Sequence, residues 1–142
     1  MNPITAAHAR LTSAASLPSL LDAAYDAFEV IRIVLRHHQE RAGAAFPAFV
    51  LAAGAAAEGR DQIGASASLP AAASEPGTIA DLVAGGDWVN AAAEIATLSD
   101  AIAGRLSMAS ADAVAGRDRS SCLHAARHAA RISCLLSGAG RT

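Results

Sequence analysis

The chain has 142 residues, 53% of them hydrophobic, with 11 basic against 13 acidic side chains and a formal charge of −2. That length suits one domain burying about two-thirds of its unfolded surface, and the charge argues against a general polyanion binder. The hydrophobic share is mostly alanine, 39 residues, against one Trp, one Tyr and three Phe. The expected core is therefore thin, with close helix contacts replacing bulk, since alanine has the best helix propensity and loses no side-chain entropy.

Every basic residue is Arg. Together with the alanine content this is the codon bias of a GC-rich, for example actinobacterial, genome rather than a chemical need for guanidinium. Charge is unevenly spread. Residues 1–103 hold five Arg against eleven acids, and residues 104–142 hold six Arg against Asp112 and Asp118. The expectation is a basic C-terminal helix lying against an acidic one.

Residues 1–16 read as a short helix, with Asn2 as cap and Pro3 in the first turn. With mostly alanine on its apolar side, it is expected to act as a lid. Leu17–Arg41 is the longest periodic stretch. Leu17, Leu21, Ala24, Phe28, Ile31, Leu35 and His38 share one face, and Asp22, Asp26, Glu29, Arg32, Arg36 and Gln39 the other. Ser16 or Ser19 caps it, Arg36 and Glu40 are spaced to pair, and Gly43 ends it.

Phe46–Ile63 is the second long helix. The charge-free run Ala42–Ala57 falls short of the roughly 20 strongly apolar residues a membrane span needs, so a buried helix is expected. Ala53, Gly54 and Ala57 form its small-residue face. Residues 64–77 are rich in Ser, Ala, Pro and Gly, and read as a long flexible connection. A short helix from Thr78 to Gly85-Gly86 follows. Asp87 caps a helix from Trp88 to Leu106, with Ile95, Leu98 and Ile102 inward and Trp88 plugging the bundle end. The last helix starts near Ser110 or Asp118, with Gly116 as a break, and runs to Ser137. Cys122, Ala125, Ala126, Ala129, Ala130, Ser133 and Cys134 form its small-residue face. The two cysteines, about 18 Å apart along a helix, cannot pair within the chain. They read as buried thiols of a reducing, cytoplasmic compartment. No charged–apolar–cleavage pattern opens the sequence, so no signal peptide is expected.

Three clusters carry candidate chemistry. Arg117, Arg119, His124, Arg127, His128 and Arg131 make a basic C-terminal face for an anion or a partner. His37, His38, His124 and His128 are a candidate metal set, since His124 and His128 stand one turn apart. Against it, Arg127 and Arg131 repel a cation, and the Glu-x-x-His pairs of di-iron bundles and the His-Glu-x-x-His motif are absent from the sequence. Catalysis finds no pattern: there is no Gly-x-Ser-x-Gly and no Gly-Lys-Ser/Thr loop, and Asp22 and Asp26 read as solubilising charge.

The sequence thus points to an all-α, antiparallel bundle of four main helices plus one or two short ones, in a single domain. The leading expectation for function is a non-catalytic, cofactor-free protein acting through contact with another protein or as a homodimer. A nucleic-acid accessory protein using the basic face, and a metal or small-ligand binder using the histidines, are the alternatives. No membrane partner is expected.

Overall fold

Among the described residues five α-helices form where an apolar periodicity follows a capping or turn signal: α1 (Pro3–Ser13), α2 (Leu17–His38), α3 (Phe46–Gly64), α4 (Trp88–Asp112) and α5 (Gly116–Ala139). The computed structural model describes residues 2–66, 68–69, 87–113 and 115–139, and contains no strand among them. The connection expected over 64–77 and the helix expected over 78–86 lie almost wholly outside the described residues.

The caps follow the sequence closely. Asn2 Oδ1 accepts the Ile4 N–H at 2.8 Å. Ser16 and Ser19 cap each other's backbone at 3.3 and 3.1 Å, and Asp87 Oδ1 accepts the Asn90 N–H at 2.7 Å. Each satisfies a donor the helix leaves open, worth about 1 kcal/mol. Between α2 and α3 the chain makes two 3-10 turns, Gln39–Arg41 and Gly43–Ala45. Gly43, at φ +56°, is the turning residue, because only glycine enters the left-handed region without steric cost.

The helices pack in the cyclic order α2, α3, α5, α4, with α1 filling the seam between α4 and α2. Two contacts fix the directions. Phe49 on α3 meets Trp88 on α4 edge to face at 5.9 Å, so both helices begin at one end of the bundle. Ser66, just past α3, donates to Asp118 near the start of α5 at 2.5 Å, so α5 begins where α3 stops. Cyclic neighbours are therefore antiparallel. The chain between Ser66 and Asp87 joins opposite ends of the bundle, and a helix as long as α3, about 28 Å, explains why that connection needs its length.

One buried cluster draws on all five helices, with Leu11, Leu21, Phe28, Ile31, Leu35, Phe49, Ile63, Ile95, Leu98, Ile102, Leu106 and Ile132 essentially out of solvent. Alanines fill the space between them. The closest approach is at Gly59, where an added Cβ would lie 2.6 Å from two Phe28 ring carbons.

Several expectations are corrected. α1 is core rather than lid, because Ile4, Ala7 and Leu11 all point into the α2–α4 seam. α5 does not lie against acidic α2; it packs on α3 and α4, diagonal to α2. Asp26 is buried, not a solubilising surface charge. The small-residue contact on α3 is made by Ala52, Ala53, Ala55, Ala56 and Gly59, while Gly54 faces out. α4 runs on past Gly104 and Ser107 to Asp112, since a single exposed glycine costs only about 1 kcal/mol and Leu106 and Ala109 still pack. Ala113 takes an extended conformation, and α5 starts at Gly116.

Candidate interaction surface

α1 is held by polar ties to both neighbours. Arg10 bonds Asp22 at 3.2 Å and also Asp26 on α2. Asn2 donates to Glu94 on α4 at 2.7 Å. Arg105 on α4 donates to the Thr12 and Ala14 carbonyls at 3.0 and 2.7 Å, satisfying two of the acceptors that end α1. Asp26 Oδ1 has no hydrogen-bond partner among the described residues. Burial raises the Asp26 carboxyl above the usual aspartate value, outweighing the opposing pull of Arg10.

The α2–α3 contact has its own charge cluster. Arg32 binds Glu29 at 2.9 and 3.1 Å. Arg60 reaches the same carboxylate from α3 at 2.5 Å and Asp61 at 3.2 Å. The Arg32 hydrogen bond, helped by Arg60, holds the Glu29 carboxyl below the usual glutamate value against the effect of burial.

α5 differs. Its inward face is Asp118, Ser121, Cys122, Ala125, Ala126, Ala129, Ile132, Ser133 and Leu136. Ala130 and Cys134, expected on that face, are exposed. The Cys122 thiol is buried, and burial, then the Asp118 charge, pushes its pKa up, which disfavours the reactive thiolate. Asp118 also accepts the Ser68 N–H at 3.1 Å and the Ser68 hydroxyl at 2.5 Å, pinning the chain that leaves α3.

The basic residues lie on the outward side of α5. Arg117, His124, Arg127 and Arg131 are exposed, and His128 is half-buried. At 100° per residue these five share one stripe, whereas Arg119 is rotated about 200° from Arg117. His128 Nδ1 approaches Glu58 on α3 at 3.4 Å, so the stripe borders α3. Arg117, Arg127 and Arg131 make no ion pair or hydrogen bond among the described residues.

The two histidine pairs stand apart, on diagonal helices. His37 and His38 end α2, their rings edge to face at 5.0 Å, and His38 is buried. Burial, with the neighbouring charges of His37 and Arg41, lowers the His38 pKa. No group of three or more His, Cys, Asp or Glu is placed to hold a metal among the described residues.

The sequence reading missed the outer face of α3. Phe46, Val50 and Leu51 are 39, 42 and 49% exposed. With Pro47 and Gly54 they form a continuous apolar stripe at helical spacing. The available signal was a first half of α3, residues 46–57, that is apolar on every side, but periodicity alone does not say which side is left bare. A hollow of about 370 Å³ lies where the α1–α2 turn meets the end of α4, lined by Leu17, Leu20, Arg105, Met108, Ala109 and Asp112. Its one cationic side chain is the Arg105 already bonded to the end of α1.

Among the described residues, no helix is long and apolar enough to cross a membrane. Comparison with protein-family models, curated proteins and solved structures finds no match to this chain.

Proposed function

We propose that this is a non-catalytic helical protein that works by contact with another protein chain, either a different protein or a second copy of itself. The observation that carries the reading is the bare apolar stripe of α3. Three large side chains within six residues on one helix face are 39–49% exposed, whereas the other exposed large apolar residues, Val89, Met108 and Leu123, stand singly on α4 and α5. Scattered exposed apolar residues are ordinary, but contiguous ones on a rigid element are the mark of a contact surface.

Affinity capture with the purified protein, compared with a Val50→Asp, Leu51→Asp variant, tests it. Loss of the captured protein in the variant, with unchanged helix content, supports the reading, and capture that is insensitive to the substitution refutes it. Sedimentation over a range of concentrations separates the two forms: a homodimer gains mass with concentration, and a protein serving a different partner stays monomeric.

A further inference from the structure

We infer that the surface formed by the outer faces of α3 and α5 receives an acidic, amphipathic helical segment of a different protein. This rests on the contact reading above and specifies its partner.

The geometry follows from one contact. α3 and α5 are antiparallel and meet at Glu58 and His128, 3.4 Å apart. Moving from Glu58 towards the start of α3 and from His128 towards the end of α5 keeps the two helices level. Seven residues on, about 10 Å, Leu51 on α3 stands level with Leu135 on α5, and Arg131 lies between Leu135 and His128. Exposed Leu51 and half-buried Leu135 thus form an apolar strip, with Arg131 one turn and Arg127 two turns along α5 from it, level with the part of α3 that carries exposed Glu58 and Asp61. Val50 and Phe46 extend the strip around α3, and His124 and Arg117 extend the charge along α5. The basic row from Arg117 to Arg131 is about 21 Å long, the length of four helical turns.

Charge complementarity selects the occupant. Arg10, Arg32, Arg60 and Arg105 each bond within the chain, whereas Arg127 and Arg131, the arginines nearest the apolar strip, make no ion pair or hydrogen bond among the described residues, as is also true of Arg36 and Arg41 on the α2 side. An amphipathic helix laying its apolar side on Leu51, Val50 and Leu135 would meet those guanidinium groups with its flank, so that flank must be acidic. The apolar strip is a poor match for nucleic acid, which offers no complementary helix face. A second copy pairing α3 on α3 fits less well. A two-fold centred on Gly54 sets the exposed carboxylate of Glu58 against Val50, removing water from a charge without supplying a counterion.

Fluorescence anisotropy with synthetic probes tests this. The probes are a helical peptide with leucines on one face flanked by glutamates, the same peptide with lysines for glutamates, and a short duplex DNA. The glutamate peptide should bind, and more weakly as salt is raised. The lysine peptide should bind at least about tenfold more weakly, and Arg127→Glu with Arg131→Glu should reverse the preference. Both arginines are exposed, so circular dichroism should show the fold unchanged. Equal binding of both peptides, weakened only by Val50→Ser with Leu51→Ser, overturns the acidic partner and leaves the contact reading standing. Binding of neither peptide overturns the acidic partner, and the contact reading then stands or falls on the capture experiment with Val50→Asp, Leu51→Asp. Binding of DNA in their place, lost in the arginine variant, overturns both and identifies a nucleic-acid surface. Self-association that excludes the glutamate peptide identifies a second copy as the occupant and overturns the inference.

Discussion

Arginine does opposite work in two regions of this bundle. Around α1, α2 and the inner side of α3, Arg10, Arg32 and Arg60 each close on a carboxylate, two of them linking different helices. On the outer side of α5, Arg117, Arg127 and Arg131 close on nothing among the described residues. Glycine repeats the contrast on α3. Gly59 lies under the Phe28 ring, where no Cβ fits, and Gly54, five residues earlier, faces open space. The contrast belongs to the contacts rather than to whole sides of the molecule: Arg36 on α2 and Arg41 just after it are exposed and, like the α5 row, make no ion pair among the described residues.

The strongest test of the inner side is Arg10→Ala. It leaves the buried Asp26 carboxylate without its cation and should cost about 2 kcal/mol, lowering Tm by about 5 °C. Adding Asp26→Asn should recover most of that loss, and failure to recover it would place the effect elsewhere on α1. Gly59→Ala comes next. Clash with Phe28 should outweigh the roughly 1 kcal/mol gain in helix propensity, for a net loss of about 1 kcal/mol in urea unfolding. Gly54→Ala should be neutral or stabilising.

Asp26→Asn alone gives a smaller effect with a pH signature. The folded chain binds the Asp26 proton more tightly than the unfolded chain does. The stability it contributes is fully present below the unfolded value of 3.8 and is lost as pH rises through the higher folded value. The Asn variant avoids that loss, so it should match the parent in acid and exceed it at neutral pH, with the gap opening as pH rises. The smallest effect belongs to the outer side: Arg127→Ala with Arg131→Ala should change stability by less than about 0.5 kcal/mol. A large loss there would erase the distinction between the two regions.

Much of the architecture was legible because it is local. The caps at Asn2, Ser16 and Asp87, the inward face of Phe28, Ile31 and Leu35, and the starts of α3 and α4 are set by residues within a turn or two. What was not legible depends on which helix sits beside which. Asp26 falls on the polar side of α2 by periodicity, yet α1 covers it. The basic helix was expected to face acidic α2, but the order α2, α3, α5, α4 puts it diagonal. Cys134 and Ala130 belong to the small-residue pattern of α5, but lie beyond the width its two neighbours can cover. The outer stripe of α3 escaped for the same reason: Phe46 and Val50 look as buriable as Phe49. Spacing alone places Arg117, His124, Arg127, His128 and Arg131 on one side of α5, but not Arg119, which the sequence reading grouped with them and which lies about 200° away.

The most direct test is to record backbone amide NMR spectra while the glutamate-flanked peptide is added. Shifts confined to residues 46–54 of α3 and 124–135 of α5 are the predicted result. Shifts centred on α1 and the α2–α4 seam instead, or a spectrum that does not change, would contradict the assignment of the outer α3–α5 face as the surface on which this protein acts.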